Sequence, residues 1–466
     1  MKLYNTLTRQ IDEIKPLNPP EVGIYTCGPT VYDYAHIGHW FTYVRADTLI
    51  RALKANNFKP KWVVNITDVG HLVSDADDGE DKLQKRAKRE GKTAWEIAQF
   101  YTEDFIEGMK LLNISVPNEM PKATAHIPEQ IELIHRLEEK GFTYKISDGI
   151  YYDTSKFQKY ADFARLDLDE LQAGARVAYN PEKRNPSDFA LWKFSPKNSA
   201  RDMEWDSPWG KGFPGWHIEC SAMSMKYLGA TLDIHTGGID HVPVHHANEI
   251  AQSEAATGKP YANYWLHTNH VLIDGQKISK SLGNGIRLQE VINDQVSADA
   301  FRLHVLESHY RSQSKFSLES LQAAQNRLND LYALAALRWQ PVADAVELNT
   351  SLSDISEKIT SLLFDDLNTP EILVCLSQVS AELQQSLISK VHVTDFEDLL
   401  SEIDKLLGLN LSAIKDINDD QKHKIKDREA ARKKGDWAMS DQIRDDLMKS
   451  HVGLRDTPSG TIWYPL

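Results

Sequence analysis

Val22-Gly23-Ile24-Tyr25-Thr26-Cys27-Gly28-Pro29-Thr30, followed at a short distance by His36-Ile37-Gly38-His39, is the stretch that decides the fold. The β-branched and aromatic run from Val22 to Cys27 predicts a strand, and Gly28-Pro29-Thr30 breaks it. From His36 the apolar residues Tyr43, Val44, Leu49 and Leu53 recur at helical spacing. Lys61-Trp62-Val63-Val64-Asn65-Ile66 then predicts a second strand. Strand, helix, strand in this order signals a parallel α/β sheet. Ligands bind such sheets beyond the carboxyl ends of the strands, where Thr26 to Thr30 and Thr67-Asp68 are expected.

Outward from this unit, residues 120–210 read as an insertion. It carries a helix over Ile131 to Lys140 and then a loop-rich stretch with Pro181, Pro186, Pro196 and Pro208. The α/β pattern returns from Phe213. Asp233 to Gly238 and His270 to Gly275 each predict a strand running into a turn. Beyond Ser317, Leu318, Leu321, Leu328, Leu331 and Leu334 begin an α-helical bundle, continued from Pro370 and from Asp395. Lys422 to Lys434 carries seven Lys/Arg, and Thr461-Ile462-Trp463-Tyr464 reads as a closing strand.

A chain of 466 residues, 41% hydrophobic and 26% charged, has room for two to four domains with a sizeable core. No signal peptide and no membrane span is expected. Three cysteines in so long a chain argue against a disulfide scaffold and for a reducing cytoplasm. The net charge of −14 by itself disfavours a surface coated with nucleic acid, yet leaves room for a local basic path.

His36-Ile37-Gly38-His39 opens a helix just after a strand. Helix N-termini attract phosphate, and Gly38 leaves the backbone bare for a flat base. The alternative is two solvated histidines. Lys277-Ile278-Ser279-Lys280-Ser281 follows the Asp274-Gly275 turn, after a strand read as part of the same sheet. Its lysines suit developing phosphate charge, although such a run alone is also an ordinary solvated loop. The chain contains no Gly-x4-Gly-Lys-Ser/Thr motif. In this order the two motifs resemble the HIGH and KMSKS signatures of class I aminoacyl-tRNA synthetases, with Ile278 in place of methionine. The resemblance implies ATP binding by Thr30, His36, Gly38, His39, Lys277, Ser279 and Lys280. His36, His39, Lys277 and Lys280 would stabilise the adenylation transition state.

Cys27, Cys220, His245 and Glu249 are residue types that bind zinc, with His245 and Glu249 at i and i+4 on a short helix. Spacing alone leaves two inert cysteines and a hydrogen-bonded histidine as the alternative reading. These contexts resemble the cysteinyl-tRNA synthetases, as do Asn5 to Arg9, Gly28 to Asp33, Asn65 to Asp68 and Ala251 to Ser253. That resemblance spans essentially the whole chain and implies one Zn2+ held by the four residues, with His241 and His246 as competing ligands. Ala247 departs from the glutamate many relatives carry there. Zinc prefers a soft thiolate to a hydroxyl, so it would separate cysteine from serine without an editing domain.

The resemblance further implies Thr67, Trp216 and Asp240 around the amino acid, although a Trp in this turn is as often packing. Arg432, Trp437 and Asp441, read with Lys433, Lys434 and Arg444 on one helix, would read the tRNA anticodon; a solvated helix with a core Trp is the alternative. The implied fold is α/β: a Rossmann-like catalytic domain over 1–119 and 211–285, interrupted by the 120–210 insertion. A stem-contact region follows over 286–316, then the α-helical bundle over 317–412 and a small C-terminal anticodon-binding module over 413–466. The implied partners are tRNA(Cys), L-cysteine and ATP with Mg2+, for a monomer without a membrane. The nearest rival is a related ligase that passes cysteinyl adenylate to an amino sugar; the basic helix and the segment near Trp463 argue against it. Against a non-catalytic paralogue stand the intact motif histidines and lysines.

Overall fold

The structure, a computed structural model, describes residues 1–70, 81–166, 180–196, 201–278, 285–342 and 351–466, with Lys82 and Lys277 described by backbone alone. At its centre lies a four-stranded sheet built from β1 (Glu21–Thr26), β2 (Lys59–Val64), β3 (Leu232–Gly238) and β4 (Ala262–Thr268). All neighbours run parallel, in the order β4-β3-β1-β2. The register sets Tyr25 against both Val63 and His235, so the carboxyl ends of β1, β2 and β3 finish together. Helix α1 (Ile37–Ala55) crosses from β1 to β2 and buries Trp40, Phe41, Val44, Leu49 and Leu53. Helices α2 (Trp216–Leu228) and α3 (Ala247–Thr257) flank β3 in sequence. Successive residues at the end of β1 and along nearly all of β3 are buried, as in a parallel sheet covered on both faces.

The insertion is less loop-rich than its prolines suggest. After a helix over Ile127–Glu139 comes a four-stranded antiparallel sheet of Thr143–Ile146, Gly149–Tyr152, Phe189–Phe194 and Gly212–Pro214. Its strands are too short for a period-2 pattern to stand out, and its aromatics stack across strands, with Tyr152 and Phe189 5.0 Å apart and nearly parallel. A second correction concerns the strand before the lysine motif. Val271–Ile273 is not part of the central sheet; it pairs with Gln276–Lys277 and Ser314–Phe316 in a separate three-stranded sheet.

Helices Leu318–Ala336, Leu352–Phe364, Thr369–Ser386 and Val393–Leu407 form the bundle. A fully buried ion pair ties it to the sheet region. Arg302 Nη2 donates to Asp47 Oδ2 at 2.5 Å, and Arg302 also reaches the carbonyls of Leu407 and Leu112. At the C-terminus the single predicted basic helix is two helices, Asp419–Lys433 and Trp437–Lys449. Gly435 adopts φ +77°, a conformation open to glycine, and Asp436 caps the second helix by accepting from Met439 N. A hairpin, Val452–Thr457 with Gly460–Pro465, closes the chain.

Candidate active site

One cavity of about 670 Å³ opens beyond the carboxyl ends of β1 and β3. Thr30, His36, Gly38, His39, Thr67, Trp216, Asp240, Cys27, Cys220 and His245 all line it, together with Ile278. Its floor depends on a close crossing. A Cβ on Gly28 would fall 1.4 Å from the Asn65 carbonyl oxygen, so only glycine lets the end of β1 lie against the segment after β2. Gly28 N donates to Asn65 Oδ1 at 2.7 Å, and Asn65 Nδ2 donates to Thr67 Oγ1 at 3.1 Å. Cys27 and Thr67, far apart in sequence, thereby face one space.

Cys27, Cys220, His245 and Glu249 bring their ligand atoms within 4.8 Å of one another, all buried. Val242–His246 is a widened π turn that runs into α3, and it aims His245 Nε2 at Glu249 Oε1, 2.8 Å away. Cys27 Sγ lies 3.8 Å from the same oxygen. Two thiols, an imidazole and a carboxylate form a donor set suited to zinc. Without a metal, the cluster shares its protons unevenly. Burial pushes the Cys27 thiol up, whereas the hydrogen bond from Cys27 lowers Cys220 to about 7. Burial would also raise Glu249, but His235 and His245 outweigh it and hold the carboxylate well below its usual range. Burial pulls His245 down, yet Glu249 and Cys220 prevail and hold it at about 10.

Sequence reasoning missed the groups that orient this cluster. Glu249 Oε2 accepts from Tyr261 OH at 2.9 Å and lies 2.8 Å from His235 Nε2. His217 Nδ1 lies 2.9 Å from His245 Nδ1. His246 belongs to an overlapping group with Cys27, His235 and Glu249; it is 3.3 Å from Cys27 Sγ and continues to His267 and Thr6. His235 is fully buried on β3 opposite Tyr25, and nothing in the sequence pattern singles it out. His241 lines the cavity, where burial lowers it to about 4.

At the other end of the cavity, His36 is the N-cap of α1 and its ring stacks on His39, with centroids 3.7 Å apart. His36 Nδ1 is buried without a partner in the described structure. A Cβ on Gly38 would come within 2.9 Å of Ile278 Cδ1 and 3.0 Å of the His36 ring. Trp216 opens α2, lines the cavity and sets its ring 4.5 Å from that of His245. Asp240 is exposed at the cavity edge. The backbone of Lys277 pairs with Leu272; Ser279, Lys280 and Ser281 lie outside the described residues.

Arg432 and Trp437 come together across the helix break. The guanidinium lies 5.6 Å from the ring centroid and pairs with Asp456 at 2.9 Å. Trp437 is 60% exposed, which excludes the core reading of this tryptophan. Asp441, one turn further on, pairs with Arg444 at 3.4 Å.

Residues 13–326 match the family described as tRNA synthetases class I (C) catalytic domain. The fold agrees. Mycobacterium tuberculosis methionyl-tRNA synthetase in complex with methionyl-adenylate superposes with a TM-score of 0.60 at 14% identity, covering 84% of this chain and 92% of that one. A LeuRS–tRNA–LeuAMS complex from Agrobacterium radiobacter gives 0.59 at 13% identity, over 86% and 85%. Fold and site together define a class I aminoacyl-tRNA synthetase. Among curated relatives, the cysteine–tRNA ligase of Treponema denticola is 42% identical with 100% of both chains covered. Cysteine–tRNA ligase 1 of Burkholderia lata is 45% identical over 99% of this chain and 96% of its own, and the Thermococcus onnurineus ligase 38% over 99% and 98%. The chain belongs to the cysteine–tRNA ligase family.

Proposed function

We propose that this protein activates L-cysteine with ATP and transfers the cysteinyl group to the 3′-terminal adenosine of tRNA(Cys). The observation that carries this reading is that one cavity has a Cys/Cys/His/Glu cluster at one end and the His36–Gly38–His39 helix start at the other. Cysteine lies with its side chain toward Cys27, Cys220, His245 and Glu249, which hold one Zn2+. The ion so held would supply a soft Lewis acid that favours a thiolate over the hydroxyl of serine. Trp216 covers this end, and Thr67 and Asp240 hold the carboxylate and ammonium groups. ATP, with its Mg2+, lies against Gly38, its phosphates toward Thr30, His36, His39 and the lysine motif at Lys277, Ser279 and Lys280. The cysteine carboxylate attacks the α-phosphorus, and pyrophosphate leaves. A terminal ribose hydroxyl then attacks the acyl carbon and AMP leaves. Residues 413–466 read the anticodon through Arg432, Trp437 and Asp441, while 317–412 span the distance and 286–316 meet the stem. The protein works as a cytoplasmic monomer; among the described residues no helix is long and apolar enough to cross a membrane.

Cysteine-dependent exchange of labelled pyrophosphate into ATP by zinc-loaded protein, followed by charging of a tRNA(Cys) transcript, tests the proposal. Lack of exchange overturns it. Exchange without charging overturns the RNA half.

A further inference from the structure

The largest imbalance of charge near the cavity lies on a helix the reaction above does not use. Residues 82–92 hold six Lys/Arg against one Glu, in a chain whose net charge is −14. They form the helix Lys82–Glu90 and the turn after it, beside the helix Ala94–Leu111. Arg86 faces the cavity wall: it lies 3.5 Å from Asp33, donates to Tyr101 OH at 2.5 Å and pairs with Glu90. Asp33, Tyr34 and Tyr101 themselves line the cavity, so this helix forms part of its rim. Lys88 and Arg89 are exposed and have no carboxylate partner among the described residues. On the neighbouring helix Ala94–Leu111, Phe100 is 41% exposed. Lys92 Nζ sits 5.1 Å from its ring centroid, and Tyr34 meets it edge-on at 6.1 Å. Lys92 also meets Glu90 at 3.5 Å. Exposed cations on a helix that ends beside an exposed aromatic ring are the components of a platform for single-stranded nucleic acid: cations follow the phosphates, and a base stacks on the ring.

We propose that this rim receives the unpaired 3′ end of the tRNA and guides it into the cavity, with Lys88, Arg89 and Lys92 on phosphates and Phe100 under a base. The inference rests on the reading of the protein as a tRNA-charging enzyme and adds a binding surface to it. The rim handles the acceptor end and takes no part in adenylation.

The test compares wild type with Lys88→Ala/Arg89→Ala in two assays. Pyrophosphate exchange reads the first step without RNA, and charging kinetics over a salt series read the second. Losing two single-strand phosphate contacts lowers the salt slope of log KM for tRNA by about 1.4, equivalent to about tenfold in KM near physiological salt. Charging kcat and pyrophosphate exchange stay as in wild type. A charge-retaining variant, Lys88→Arg/Arg89→Lys, keeps the wild-type slope and KM. A transcript that lacks its unpaired 3′ nucleotides, used as a competitor, binds wild type and the alanine variant equally. An unchanged KM and slope in the alanine variant would overturn the proposal and leave the helix as a solvated face. So would loss of function in the charge-retaining variant, which means packing, or an equal deficit with the truncated transcript, which means contact with the paired stem. Absence of exchange in wild type instead contradicts the underlying reading of the enzyme.

Discussion

Replacing Glu249 by Gln is a sharp probe of the metal-type cluster, because the structure fixes which way the new amide must turn. Glu249 Oε2 sits between His235 Nε2 at 2.8 Å and Tyr261 OH at 2.9 Å, while Oε1 faces His245 and Cys27. The Gln carbonyl keeps the hydrogen bond from Tyr261 by taking the Oε2 position. That leaves the NH2 group, a donor with no lone pair to offer, pointing at His245 and Cys27. A cation at the cluster then loses one anionic ligand out of four and meets a donor instead. Removing a group that merely hydrogen-bonds a metal ligand costs about 10–100-fold in metal affinity, so loss of a ligand itself sets about 100-fold as the minimum. That is about 2.7 kcal/mol. The assay is competition for Zn2+ against a chromophoric chelator at neutral pH, with circular dichroism to show that the variant is folded. A folded Glu249→Gln protein with wild-type zinc affinity would refute the ligand assignment. The variant carries a second signature without metal. His245 is held at about 10 chiefly against the cost of burial, by Glu249 and Cys220. Without the carboxylate, burial prevails, and NMR titration of the metal-free protein should find His245 titrating well below that value.

Other consequences are independent of the metal. Gly38→Ala puts a methyl group against Ile278 and the His36 ring; the Ile278 end can shift, so the fold loses about 1–3 kcal/mol, and KM for ATP in pyrophosphate exchange rises while KM for cysteine holds. Asp47→Asn leaves Arg302 buried beside a neutral group and lowers stability by about 3–5 kcal/mol in urea unfolding followed by far-ultraviolet circular dichroism. Burial raises Asp47, but Arg302 and Arg51 outweigh it and hold the carboxyl below its ordinary value. A depressed folded pKa means its stabilisation is present above the ordinary carboxylate range and disappears as the pH falls through the folded value; acid titration of wild type against Asp47→Asn shows the two curves converging there. Trp437→Ala removes an exposed ring, so thermal stability stays within about 0.5 kcal/mol. Its tRNA affinity falls by about 1–3 kcal/mol, read by filter binding.

Much of the fold was legible because its strands are apolar runs ending in glycine. Gly28 and Gly237-Gly238 mark where β1 and β3 stop, and the helix after His36 announces itself through Tyr43, Val44 and Leu49. The antiparallel sheet of the insertion was not legible, since strands such as Gly149–Tyr152 are four residues long and are identified by cross-strand partners rather than by period. Gly435 lay in plain view between Arg432 and Trp437, but helical glycines are common enough that its positive φ was needed to divide the helix. Of the site, the titratable and thiol residues could be named from type and context. His235, Tyr261 and Asn65 could not, because each acts by holding another side chain, and tertiary contact alone reveals that. Membership of the cluster is likewise a matter of approach: His246 stands as near to Cys27 as a ligand would, but His245 groups with Cys220 and opens onto the cavity, whereas His246 groups with His235.

The most direct test of the account is X-ray absorption at the zinc edge of metal-loaded protein, with and without L-cysteine. Cys27 and Cys220 supply two sulfur ligands, so the account predicts two sulfurs in the free enzyme and three with cysteine bound, and two still with serine. A sulfur count that stays at two when cysteine saturates the site would contradict it.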